Sequence, residues 1–174
     1  TPDNVGGYLQ LTHVRPAAYV NYALTGNGTS STLALRGDWT WQSYGTWNAD
    51  ITLQQSSDNG NTWETIRTVS GRADTNFILT GTATSNVLLQ MVISNWTTAT
   101  STTPPRVTIS CTDSTLNGIA QITSYISGTH VKVNVIQSFY STASTTMWNE
   151  GAWSDRRGYP AAVTSHQSRL VYGG

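Results

Sequence analysis

The sequence predicts an all-β protein: an antiparallel β-sandwich of the jelly-roll or immunoglobulin-like type, with an extra C-terminal β-hairpin and an extended tail. Three observations carry that prediction. Apolar residues alternate with period 2 along many short segments, and no longer stretch holds a convincing 3.6 period. Clusters of Gly, Asn, Asp and Ser separate these segments at the spacing of about 8–12 residues expected of stacked antiparallel sheets. Charge is sparse, at 10% of residues against an ordinary ~25%, and Ser and Thr, roughly a quarter of the chain, replace it.

The strands expected in chain order are Tyr8–Arg15, Ala17–Leu24, Thr32–Arg36, Trp39–Ser43, Ala49–Gln55, Trp63–Val69, Asn76–Thr80, Val87–Ser94, Arg106–Thr112, Gly118–Ser127 and His130–Ile136. Gly26-Asn27-Gly28, Ser57-Asp58-Asn59-Gly60, Ser70-Gly71-Arg72 and Ser127-Gly128 read as turns between them. Two hairpins are explicit. In residues 50–69, Ile51 and Leu53 alternate with Thr52 and Gln54 before the turn, and Trp63, Thr65, Arg67 and Val69 run back. In residues 119–136, Ile122 and Ile126 lead to the Ser127-Gly128 turn, and Val131, Val133 and Val135 return on one face. Each hairpin has one apolar face, which must be buried against another sheet. Residues 97–105 read as an extended loop, because Pro104 and Pro105 cannot extend a central ladder, and residues 138–146 as a polar linker. The expected organisation is a sandwich over 7–112, a hairpin over 113–137, and, over 138–174, a linker with the start of a further β domain.

A chain of 174 residues suffices for one well-buried domain with an appendage. Nine basic and nine acidic residues cancel, which gives no net attraction to nucleic acid or anionic membrane. Eight of the nine basic residues are Arg, and Lys132 is the single Lys. Aromatic and β-branched content is too high for disorder. Cys111 is alone, so it forms no intramolecular disulfide and reads as a small core hydrophobe. No apolar run approaches the ~18 residues of a membrane-spanning helix.

Ser56-Ser57-Asp58-Asn59-Gly60-Asn61-Thr62-Trp63 resembles the Asp-box of sialidases and related β-propellers. That resemblance implies a structural turn: the Asp58 carboxylate accepts backbone N–H bonds, Gly60 supplies positive φ, and Trp63 covers the hairpin closed by Ser56. Trp39, Trp41, Tyr44 and Trp47 fall within nine residues, with Trp39 and Trp41 on one face of a strand, and Trp96 adds a fifth ring. These five are the candidates for a glycan-binding platform, the alternative being that at least two of them fill the core. Asp38, Asp50, Asp58 and Glu64 read as turn and edge acids rather than a glycosidase pair. His13, His130 and His166 lack metal-ligand spacing, and no catalytic constellation, metal site or cofactor motif is recognisable.

Three further regions together resemble a family of large bacteriophage tail proteins, similar to the nozzle and hub proteins of short-tailed phages. They are Val5-Gly6-Gly7-Tyr8 with Leu11-Thr12-His13; the stretch from Gly118 to Val133; and the segment from Trp148 to Gly174. The third is the specific one, through Trp148, Glu150, Gly151, Trp153, Gly158, Tyr159, Pro160 and Arg169. Ser165 departs from the pattern, standing where the family tends to place an aromatic residue. The resemblance implies a non-enzymatic virion role. Gly151, Gly158 and Pro160 would fix a turn, Trp148 and Trp153 would supply buried area, and Arg169 would pair across a contact. It also implies ring-forming homo-oligomeric partners and a β-propeller-like region downstream. The alternative function is an extracellular carbohydrate-binding module that recognises polysaccharide through surface Trp and Tyr residues.

Overall fold

The computed structural model describes residues 1–72, 76–97 and 104–173. Among these the chain is all-β and antiparallel, with no α-helix and a single 3₁₀ turn at Pro2–Asn4. The strands are β1 (Tyr8–Arg15), β2 (Ala18–Ala23), β3 (Gly28–Thr29), β4 (Leu33–Tyr44), β5 (Asn48–Ser56), β6 (Glu64–Arg72) and β7 (Ile78–Thr97). There follow β8 (Arg106–Cys111), β9 (Ser114–Ser127), β10 (His130–Gln137), β11 (Trp148–Glu150), β12 (Ala162–His166) and β13 (Arg169–Gly173). Two compact units emerge: Val14–Ser114, and Thr1–His13 together with Thr115–Gly174. The sequence reading carried the sandwich from residue 7. Most of β1 instead groups with the C-terminal strands, because it is hydrogen-bonded beside β9 and β11.

The Val14–Ser114 unit is sandwich-like. Its sheet runs β2-β8-β4-β7-β5-β6, with β3 also on β7. Alternation along β4 buries Leu33, Leu35, Trp39, Trp41 and Ser43, and along β5 it buries Ala49, Ile51 and Leu53. One apolar face therefore runs through the sheet, and the sheet bends to cover it. The bend lies where β4 and β7 change register, Leu35 pairing with Val87 and Gly37 with Ala83. Gly37 takes φ +91° there, a conformation that a side chain resists. The first half of β7 thus lies beside β4, and its second half beside β5 and β3. The core also takes in Val20, Leu24, Leu89, Met91, Ile93, Val107, Ile109 and Cys111.

Several boundaries differ from the sequence reading. Thr32–Arg36 and Trp39–Ser43 are one strand, joined through the Gly37 bulge. Asn76–Thr80 and Val87–Ser94 likewise belong to the continuous β7, apart from Asn76 and Phe77, which precede it. Gly28 is in β3 rather than a turn. Ser70-Gly71-Arg72 is the end of β6, not a turn. Gly71 pairs with Ala49, and its missing side chain makes room for the Trp47 ring, which a Cβ would overlap. Gly81 seats Trp39 in the same way. Of the loop read at 97–105, residues 98–103 lie outside the described residues.

In the other unit the sheet order is β10-β9-β1-β11, and among the described residues β12 pairs only with β13. The linker read at 138–146 is pinned rather than free: His13 Nε2 lies 3.0 Å from the Ala143 carbonyl, and the Thr145 hydroxyl donates to the Thr12 carbonyl at 2.7 Å. The β12–β13 hairpin turns through Gln167 and Ser168, both at positive φ.

Gly71→Ala should cost about 1–3 kcal/mol by driving a methyl group into the Trp47 indole. Gly128→Ala, where a Cβ meets nothing within 4 Å, should stay within about 0.5 kcal/mol of the parent. Urea unfolding of both variants checks the contrast.

Candidate functional site

The five candidate aromatic residues do not form a platform. Trp41 is fully buried and Trp39 nearly so, on the inward side of β4, and Trp47, between β4 and β5, is fully buried with its ring over Gly71. Phe77 binds two of them together, 4.5 Å from Trp41 and 6.2 Å from Trp47 between ring centroids, both edge-to-face. Trp96 is half-buried against the same core, with its backbone N–H donated to Asn27 Oδ1 at 2.9 Å. Tyr44 alone of the five is well exposed, at 48%. Its neighbours on the outer face were not recognised in the sequence.

That outer face is a three-strand grid. Across β2, β8 and β4, the pairings place Tyr19 beside Ser110 and Thr40, Asn21 beside Thr108 and Gln42, and Ala23 beside Arg106 and Tyr44. Tyr19, Asn21, Gln42, Tyr44, Arg106, Thr108 and Ser110 line a shallow depression of about 450 Å³. Thr108 donates its hydroxyl to Asn21 Oδ1, which fixes the orientation of that amide. The only sequence signal for this face was the period-2 pattern, which placed Tyr19, Asn21, Thr108 and Ser110 opposite the apolar positions of their strands.

The Asp-box-like turn is built as its residues imply. Asp58 Oδ1 accepts the Ser56 hydroxyl at 2.7 Å and the Thr62 backbone N–H at 2.9 Å, and Oδ2 accepts the Thr62 hydroxyl at 2.6 Å. Asn59 and Gly60 turn the chain at positive φ, and the Trp63 ring lies beside Gly60. The bonds from the Thr62 side chain and backbone, then from Ser56, lower the Asp58 pKa to about 2. Other acids serve structure too: Asp38 accepts the Thr82 hydroxyl, and Asp50 is held below its usual range by Ser70 and Asn95. Among the described residues, no three His, Cys, Asp or Glu side chains gather as a metal group.

In the other unit, the tail-like segment folds around Glu150. Its carboxylate receives Arg157 at 2.8 and 3.0 Å and Arg156 at 3.5 Å. Gly151 N–H donates to the Tyr8 carbonyl, Ser154 bridges to Gly158 at φ +80°, and Tyr159 donates to Asp155. Pro160, half-buried, follows that turn. Trp153 meets Tyr172 of β13 edge-to-face at 4.6 Å. Within this chain Trp148 and Trp153 are 53% and 42% exposed rather than buried, and Arg169 is exposed.

No protein-family model, curated protein or solved structure matches this chain. The tail-protein resemblance therefore rests on the motif residues themselves.

Trp41→Ala should destabilise by about 3–5 kcal/mol, whereas Tyr44→Ala should stay within about 0.5 kcal/mol; thermal or urea unfolding distinguishes them. The folded-state pKa of Asp58 lies below its ordinary 3.8, so its contribution is complete above about pH 4 and fades as pH falls through about 2. Comparing acid unfolding of Asp58→Asn with the parent should show the variant lacking that part of the pH dependence.

Proposed function

We propose that the chain is a non-enzymatic structural component of a bacteriophage tail, and that its C-terminal unit packs against neighbouring subunits of its own kind. One observation carries the reading. Among the described residues, fourteen of the nineteen exposed large hydrophobic side chains lie in the unit containing Thr115–Gly174. Exposed apolar surface gathered in one region marks a contact surface rather than ordinary scatter. Val131, Val133 and Val135 stand on β10 opposite Tyr125, Ile122 and Ala120, forming one apolar strip. All ten residues of β12 and β13 are exposed, and a two-stranded hairpin is marginal in water without something to pack on.

The manner of packing follows from Lys132. It sits in the middle of β10, the edge strand of its sheet, where a charge discourages addition of another strand. Subunits would then meet through apolar faces rather than by extending the sheet. The motif resemblance is what supports the proposed partner class, other tail subunits in a ring, and the proposed virion location.

Sedimentation velocity over a rising concentration series should reveal reversible self-association. Val133→Asp combined with Leu170→Asp should weaken it at least tenfold without shifting the unfolding midpoint. A chain that stays monomeric throughout the series argues against the proposal.

A further inference from the structure

We infer that the outer face of β2, β8 and β4 is a binding site for an acidic oligosaccharide, a run of sugar rings carrying a carboxylate. The face lies wholly in the Val14–Ser114 unit. Tyr19, 69% exposed, and Tyr44 stand at opposite corners of the grid. Strand spacing and rise put their Cα atoms roughly 16 Å apart, a span that fits several linked rings better than one. An exposed tyrosine ring offers a flat apolar surface to the C–H face of a pyranose, at little cost in side-chain freedom.

Between the two rings lie the groups that sugar hydroxyls require. Gln42, Ser110 and the two tyrosine hydroxyls have no hydrogen-bond partner among the described residues, and Asn21 is oriented by Thr108. A depression of about 450 Å³ is within the size range of ligand sites. Arg106 sets the chemical class. It is the cross-strand partner of Tyr44, has no carboxylate partner among the described residues, and shares the depression with no acidic side chain. An unpaired planar fork of donors on such a surface matches a carboxylate bidentately.

The test is an array of uronic- and sialic-acid-containing oligosaccharides with neutral counterparts, followed by calorimetric titration of the best binder. The expected result is selective capture of acidic chains, with Kd raised at least tenfold by Tyr19→Ala and by Tyr44→Ala. Tyr19→Phe should retain binding, since it keeps the ring. Arg106→Gln should remove the preference for acidic over neutral chains. All three side chains are on the surface, so unchanged unfolding midpoints verify that each variant folds. Capture of no acidic oligosaccharide by the parent chain overturns the inference, as does binding that survives both tyrosine-to-alanine changes. Preferential capture of neutral chains, indifferent to Arg106, overturns the assignment of class.

Discussion

The guanidinium of Arg15 is buried in the sandwich-like unit, and its partners are backbone carbonyls: Arg36, Asp38 and, at 2.6 Å, Thr112. The rest of that unit depends on the place where these carbonyls lie. A single sheet with one apolar face must bend over itself, and β4 bends at Gly37, between the first two acceptors. There the ladder with β7 is interrupted, and a long, rigid donor group from outside the ladder meets the carbonyls on either side. Thr112, just beyond β8, is drawn to the same point. Burying a cation without a carboxylate is costly. Charge-assisted bonds to three backbone acceptors offset that cost, and a shorter or neutral side chain would not replace all of them.

The two units solve the problem of apolar surface in opposite ways. In Val14–Ser114 the tryptophans turn inward, and the outer face is left to hydroxyls, amides, tyrosines and arginine. In the unit that holds most of β1 and the strands after β8, Trp148, Trp153, Val133 and Leu170 remain in solvent. Its order comes from strand pairing and a few specific side-chain contacts. Glu150 gathers two arginines, and one edge-to-face ring pair ties the segment after β11 to β13.

Much of this was legible in the sequence, and the rest was hidden for identifiable reasons. Period-2 alternation gave the fold class, the hairpin through Asp58 and the shared face of Trp39 and Trp41. It could not say which side of β4 faces inward, since that is fixed by the pairing with β7 and β8. Gly37 and Gly71 read as punctuation because glycine most often ends a strand; here one bends a strand and the other makes room for a ring. The segment 138–146 looked like a linker because its anchors, His13 and Thr12, are over a hundred residues away in the chain. The tyrosine face escaped notice because three separate strands contribute to it, none with a distinctive motif of its own.

The seats that Gly71 and Gly81 provide for Trp47 and Trp39 constrain how this chain can drift. Neither glycine can acquire a side chain without displacing its indole, yet either indole could shrink first and leave only a void. Evolutionary exchange at these pairs therefore has a direction: the ring must go before the glycine can change. Lineages descended from this sequence would be expected to keep both members or to have lost the tryptophan first.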